Sequence, residues 1–404
     1  MTPAIPTIKM EKTDAVIIGG GPAGSIVAST LAKKGFEIIL LEKRPQIGVP
    51  VRCGEATGSR EEISRFIPID ETWILADINA ARLIAPGGRI VEKHLPSVGV
   101  VLDRSRFDQA LAGQAANSGA DVRVHTEAVG LLRGKNCVEG VLARDHRTGK
   151  TYELNAKVTI GADGIEGFIG RWAGITRHLK LSAIHSAIQY LIEDDGLPRD
   201  TIELYAGRKI APGGYAWVFP KQKGFANVGL GVDPTMIEEN TAKDFLDRFV
   251  EQHFPNAKIH ATVAGGTSGT KPLKTMVGNG VLLVGEAAHQ NNPLSGGGIM
   301  NALEGAEEAS KVLTEALTTG DVSCRFLEQY DSRWKNRVGH AITKFALLRK
   351  LIYRLEDHEL DNIAAVLDGI SRNGEDKPID YAEIFKTAVK TAPGLIWKAK
   401  NLLW

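Results

Sequence analysis

The segment GGGPAG at residues 19–24 lies between a short apolar run, Ala15–Ile18, and an alanine-rich stretch of helical character. Gly19, Gly21 and Gly24 have the GxGxxG spacing, and Glu42 closes a second apolar run 18 residues beyond Gly24. Between a strand and a helix each glycine has its own task. Gly19 permits the tight turn, Gly21 lets the backbone approach a pyrophosphate, and Gly24 lets helix and strand pack closely. Pro22 and Ala23 open the helix, whose free N–H groups face the phosphates, and Glu42 accepts from a ribose hydroxyl. Residues 14–42 thus read as one βαβ unit, with Gly35 stopping the helix. The unit predicts a dinucleotide site, but NAD and FAD present the same ADP half to it.

At 404 residues the chain has room for two or three domains at roughly 150 residues each. Its 49 basic and 48 acidic side chains nominate no nucleic-acid partner. The three cysteines, Cys53, Cys137 and Cys324, form neither a disulfide framework nor a zinc-like pair, which suits a reducing compartment. Residues 1–13 lack a signal-peptide core, and no run approaches the roughly 18 apolar residues that cross a bilayer. A cytoplasmic protein is expected.

After the βαβ unit come a turn-rich segment (RPQIGVPVRCGEATG), a hairpin around Pro86–Gly88, and a helix from about Arg104 to Ser118. Short strands follow between Val122 and Ile160 and suggest a β-meander. Alternating strands between about 182 and 266, broken by a helix near Ala242–His253, predict a second, antiparallel sheet. From about residue 300 onward the pattern is helical.

Two distant segments, GADG at 161–164 and GEAAHQNNPLSGGGI at 285–299, resemble the second and third fingerprints of the flavoprotein hydroxylase and geranylgeranyl reductase superfamily. The resemblance implies FAD and an α/β fold: a Rossmann-like FAD-binding domain of three β/β/α layers with an inserted antiparallel substrate domain and a helical C-terminal region. The expected FAD-binding segments are 11–75, 97–177 and 272–320; the substrate domain takes 76–96 and 178–271, and the helical region 321–404. It assigns Asp163, Gly164, Gly285, Glu286, Pro293, Gly296, Gly297, Gly298 and Ile299 to the cofactor, together with Lys43. The helix that opens after Gly298 would stabilise negative charge on a reduced flavin. Glu286 stands where the superfamily usually has Asp, so its contact is expected to be shifted by a methylene. Arg104, in LDRSRFDQAL, resembles the arginine at a helix start beside the cofactor; Arg106 can equally play that part, and a solvated surface charge is the plain alternative.

PGGYAWVFP at 212–220 fits PxxYxWxFP, which resembles the substrate-pocket motif of geranylgeranyl reductases. Strand alternation puts Tyr215, Trp217 and Phe219 on one face, a wall suited to a polyprenyl chain, with Pro220 closing the motif. An aromatic sheet core would produce the same stripe. Arg52, Cys53 and Gly54 resemble the Cys-Gly loop that those reductases place near the flavin, and a thiolate at Cys53 would be favoured by Arg52 beside it; an inert buried cysteine is the alternative. The resemblance implies reduction of isoprenoid double bonds. An isolated alkene has no electron sink, so hydride from reduced flavin must be coupled to protonation of the other carbon. Cys53, Tyr215, His289 and an ordered water are the candidate proton sources, with Cys53 and Tyr215 carried forward as catalytic residues and His289 more readily a structural hydrogen-bonder.

The partners implied are a geranylgeranyl lipid or diphosphate and an electron donor, NAD(P)H or a ferredoxin-like protein. The basic, aromatic segment Tyr381–Trp404 can lie in a membrane interface or pack over its own core. Competing functions are an FAD-dependent aromatic monooxygenase or halogenase, against which PxxYxWxFP and the Cys53 loop argue, and a non-catalytic prenyl carrier, against which the flavin motifs argue.

Overall fold

The computed structural model describes residues 10–373. In chain order, β1 (Met10–Ile18), α1 (Pro22–Ala32) and β2 (Ile38–Leu41) form the βαβ unit. The chain then leaves for a second sheet through β3 (Ala56–Thr57), α2 (Arg60–Ser64), β4 (Ile74–Ile84) and β5 (Ile90–Leu102). It returns by α3 (Arg104–Asn117) to β6 (Asp121–Arg123), β7 (Thr126–Arg133), β8 (Val138–Asp145) and β9 (Thr151–Gly161), followed by α4 (Phe168–Trp172). A second excursion gives β10 (Ile184–Glu193), β11 (Thr201–Tyr205), β12 (Tyr215–Pro220), β13 (Phe225–Val232), α5 (Ala242–His253) and β14 (Lys258–Ser268). The last return makes β15 (Val277–Gly278) and β16 (Val281–Leu283), then α6 (Ile299–Thr319), α7 (Cys324–Trp334), α8 (His340–Ile352) and α9 (Asp357–Asn373).

The first sheet has the order β15-β16-β9-β1-β2-β6. Its β6-β2-β1-β9-β16 part is parallel, and Ala15–Ile18 are buried, as expected of a strand covered on both faces. β1 starts at Met10, earlier than its apolar run suggests, because Met10–Thr13 continue the ladder with Glu153–Ala156 of β9 while carrying more polar side chains. One edge of β9 serves two neighbours: Thr151–Asn155 pair antiparallel with β8, and Thr159–Gly161 pair parallel with β16. β1 lies between β2 on one side and β9 on the other, a topological switch point of the kind where α/β sheets bind ligands.

The second sheet runs β14-β10-β13-β12-β11-β4-β5-β3, antiparallel except where β11 meets β4. Its hairpin strands at 74–84 and 90–102 include the 76–96 span expected for the substrate domain and run a few residues beyond it at each end. Helix α5 covers one face, packing Leu246, Phe249 and Val250 with Ala216, Val218, Ala226 and Val228. By alternation the opposite face carries Tyr215, Trp217 and Phe219. A smaller cluster, Leu351, Leu355, Ile363, Ala364 and Leu367 with Ala85 and Val91, packs the C-terminal helices on the β4–β5 hairpin. The segment Tyr381–Trp404 lies outside the described residues. Among the described residues no helix is long and apolar enough to cross a membrane.

Helix α1 packs between α3 and α6, and its Leu31 is fully buried. Leu31→Ala is expected to destabilise the protein by roughly 2–5 kcal/mol in denaturant titration, the cost of an aliphatic cavity.

Candidate active site

The C-terminal ends of β1 and β9 converge on a cavity of ≈ 690 Å³, a size ordinary for small-molecule and cofactor sites. The glycine turn forms one wall. Gly19 has φ +107°, and a Cβ there would lie 2.3 Å from the Ala162 carbonyl oxygen; a Cβ on Gly24 would lie 2.0 Å from the Gly19 oxygen. A Cβ on Gly21 would meet nothing within 4 Å, because that side of the turn faces the cavity. Glu42 is oriented by the Gly20 and Arg44 N–H groups, each 3.0 Å from a carboxylate oxygen.

Of the helices that begin at this cavity, α1 after Gly21 and α6 after Gly298 have neither a side-chain cap nor an acidic residue in the first turn. Helices α2, α3, α5 and α7 are instead capped by Ser59, Asp103, Thr241 and Ser323. Free N–H groups and positive helix ends thus converge on the cavity. Its lining residues also contain unpaired buried atoms: Asp163 Oδ1, Gln189 Oε1, Trp217 Nε1 and Asn291 Oδ1. Buried polar atoms are rarely left unpaired, so this donor and acceptor set fits an anionic dinucleotide with a polar ring system. Asp163 uses its other oxygen to accept from Ile169 N–H at 2.9 Å, and burial pushes its carboxyl up.

The Cys53 loop crosses the cavity between the two sheets. Cys53 Sγ accepts from the Glu55 N–H at 3.2 Å. The cation beside the sulfur is Arg104, not Arg52 as the sequence neighbour suggested: Arg52 lies 3.4 Å from Glu166, whose other oxygen is paired with Lys43. Arg104 is gripped by Asp108 through two bonds of 2.9 and 2.8 Å. Burial works against its charge, but Asp108 and Cys53 more than offset this and hold the guanidinium above its ordinary value. Arg106 instead reaches the Thr72 carbonyl at 3.0 Å, away from the site.

Tyr215, Trp217 and Phe219 form the facing wall, with ring centroids 5.8 and 6.0 Å apart along the series. Gly54 lies flat on them, since a Cβ there would come within 2.8 Å of the Phe219 ring. The neighbouring strands keep the floor low: Tyr215 pairs with Gly231, which pairs with Ala187, which pairs with Gly265, and all four line the cavity. Tyr215 donates its hydroxyl hydrogen to the Ser295 carbonyl, and burial, with Cys53 nearby, pushes the phenol up. Tyr353, just after α8, does the same to Leu294, so two tyrosines tether the loop that leads into α6.

Of the residues singled out from the sequence for the site, all but Gly24, Arg106, Pro220, His289 and Pro293 line this one cavity. Gly24 acts from beneath, through packing. Pro220 shares the α5 side of β12 with Ala216 and Val218, because alternation carries even-numbered residues there; Pro293 is buried behind the loop. His289 bonds Thr270 Oγ1 at 3.0 Å and serves as a structural hydrogen-bonder. Glu286 accepts from Thr267 Oγ1 at 2.9 Å and Ser268 N–H at 3.2 Å. Its longer arm thus ties the α6 loop to β14, while burial pushes its carboxyl up. Glu55, His185, Gln189 and Asn227 escaped the sequence reading. Gln189 and Asn227 did leave a signal, as polar residues inside apolar strand runs.

A cavity shared by a glycine turn, two uncapped helices and a second sheet defines the fold class as flavoprotein hydroxylase-like α/β. A family model described as the geranylgeranyl reductase catalytic domain matches residues 183–269, and one described as an NAD(P)-binding Rossmann-like domain matches residues 17–65. The digeranylgeranylglycerophospholipid reductase of Methanosarcina acetivorans is 43% identical over 400 residues, covering 96% of each chain. A solved structure of a geranylgeranyl bacteriochlorophyll reductase-like protein from Thermoplasma acidophilum has 34% identity and a TM-score of 0.89, covering 98% of this chain and 100% of that one. The flavin-dependent brominase Bmp2, at 17% identity and a TM-score of 0.71 over 97% of this chain and 100% of its own, shares the fold. The chain belongs to the digeranylgeranylglycerophospholipid reductase family.

His185 lines the cavity and accepts from Arg349 Nε at 2.8 Å. Burial, with the Arg349 charge beside it, pushes the imidazole from 6.5 down to about 4. Between those values the unfolded chain binds the extra proton, so stability falls on acidification through this window. The expected loss is up to ~3 kcal/mol. Urea titrations at several pH values should show a shallower acid slope for His185→Gln than for the native protein.

Proposed function

We propose that this chain is an FAD-dependent reductase that saturates carbon–carbon double bonds in the geranylgeranyl chains of a glycerophospholipid. The observation that carries the reading is the juxtaposition of the dinucleotide turn and the Tyr215–Trp217–Phe219 wall across one cavity, in a chain so similar to named reductases of such lipids. The segments expected to bind FAD supply the first wall and those expected to bind substrate supply the second. Gly19, Gly21, Pro22, Ala23 and the α1 amides would hold the pyrophosphate, Glu42 a ribose hydroxyl, and the Gly296–Ile299 turn the pyrimidine side of the ring. Lys43 and Arg52, with Glu166 between them, stand at the exposed end of the same cleft.

FAD, when bound and reduced, supplies hydride to one alkene carbon. Cys53 gives its proton to the other carbon, and the thiolate left behind meets the Arg104 guanidinium and the Glu55 N–H before water reprotonates it. Tyr215 is the poorer donor, because its hydroxyl is committed to Ser295 and burial suppresses its acidity. Its work is to fix the α6 loop and extend the wall. The low floor at Gly231, Ala187 and Gly265 gives a slender chain room beside the aromatic rings and excludes water from the reacting carbons. Electrons arrive from a visiting donor, NAD(P)H or a ferredoxin-like protein, and a lipid substrate brings the chain into peripheral contact with a membrane surface.

The test is anaerobic. The purified protein is reduced, mixed with digeranylgeranylglycerophospholipid, and followed by flavin absorbance and product mass. Reoxidation with a mass gain of two hydrogens per double bond is expected. A flavin that stays reduced with the lipid, yet reoxidises in air while an aromatic acceptor gains oxygen, would instead establish a monooxygenase; a colourless, lipid-loaded protein would establish a carrier. Trp217→Ala should lower kcat/KM for the lipid by about 10–100-fold through loss of buried aromatic contact, with flavin binding unchanged.

A further inference from the structure

We infer that Glu55 is the positioning residue that holds the Cys53 thiol in the cavity; its kinetic consequence rests on the reductase reading, its structural consequence does not. Glu55 is 4% exposed and has φ +74°. Both properties are costly for glutamate. A non-glycine residue in the left-handed region carries strain, and a carboxylate taken out of water is unfavourable unless donors surround it. A chain needing only the turn would be best served by glycine.

The donors are present and come from different parts of the fold. The Arg104 N–H at the start of α3 reaches one oxygen at 3.0 Å; the Asn227 amide of β13 reaches the other at 2.6 Å, joined there by the Lys221 ammonium. Meanwhile the Glu55 N–H donates to Cys53 Sγ. Asn227 also donates to the Gly54 carbonyl at 3.2 Å, and Gln189 to the Cys53 carbonyl at 2.9 Å. The carboxylate thereby ties α3, whose Arg104 faces the sulfur, to the sheet that carries the aromatic wall. The sulfur is fixed between them. Without this anchor, residues 53–55 would keep their connection to the wall and the backbone bond from Leu102 N–H to the Glu55 carbonyl, but would lose the direct tie to the Arg104 N–H at the start of α3.

The variants separate carboxylate from backbone. Glu55→Gly keeps the turn without strain and removes the carboxylate; Glu55→Gln keeps the size and one acceptor, so its amide oxygen serves either the Arg104 N–H or the Asn227 and Lys221 donors, but not both. Each is loaded with FAD and assayed for anaerobic lipid reduction and, separately, for iodoacetamide alkylation of Cys53 read by peptide mass. Glu55→Gly should retain the native flavin spectrum and KM while kcat falls ~100-fold, the scale of a misplacement of about 1 Å. Its Cys53 should alkylate ~10-fold faster as the loop opens, and Glu55→Gln, which keeps one of the two acceptors, should fall between Glu55→Gly and the native protein in both properties. Should Glu55→Gly fail to bind flavin, Lys221→Met and Asn227→Ala, which each remove one donor, carry the same comparison with smaller changes in the same directions. Native kcat or native alkylation in Glu55→Gly overturns the inference. If the native protein reduces no lipid, the reductase reading fails, and the alkylation rates still decide whether Glu55 places the thiol.

Discussion

The arrangement of the site depends on how closely α1 approaches β1. With no side chain at Gly24, the helix comes down on the Gly19 carbonyl, and with none at Gly19 the turn lies against Ala162 at the end of β9. The ends of β1 and β9 therefore meet at the mouth of α1, and the GADG segment becomes a neighbour of the first glycine turn. A methyl group at either position would push these elements apart by more than any side chain could accommodate. The remaining walls of the cavity are placed by the connections that leave this junction.

The cavity's polarity follows a consistent logic. The N-termini of α2, α3, α5 and α7 are closed by serine, threonine or aspartate. Those of α1 and α6, which open on the cavity, are preceded by glycine and left uncapped, and lining residues retain unpaired oxygen and nitrogen atoms. Each such atom lowers stability by an amount comparable to a lost hydrogen bond. The two large apolar clusters, one beneath each sheet, provide the stability that tolerates them.

What could be seen in the sequence was what repeats over short distances. The βαβ unit, the meander and the aromatic face of β12 each follow from a local period or spacing, and the structure has them. What stayed hidden depended on which distant residues would meet. Arg52 adjoins Cys53 in the chain, yet Arg104, 51 residues on, is the cation at the sulfur. Glu286 could be matched to a motif, but its bonds to Thr267 and Ser268 require knowing that β14 ends beside the α6 loop. Pro220 belonged to the right motif and the wrong face. Glu55 had no motif at all, and its left-handed backbone and buried ion pair are visible only in three dimensions.

The chain visits the first sheet three times and the second twice, and this interleaving bears on how the protein is made. β1 finds its neighbour β9 only after more than a hundred further residues have been synthesised, and β16 joins later still. The second sheet stays open until β14 arrives. A growing chain must therefore carry apolar, unpaired strand edges for much of its synthesis. Pairings of such long range form slowly and leave aggregation-prone surfaces exposed in the meantime. Neither sheet can be cut out as a contiguous fragment, so expression of this protein depends on keeping the whole nascent chain soluble until its last strands emerge.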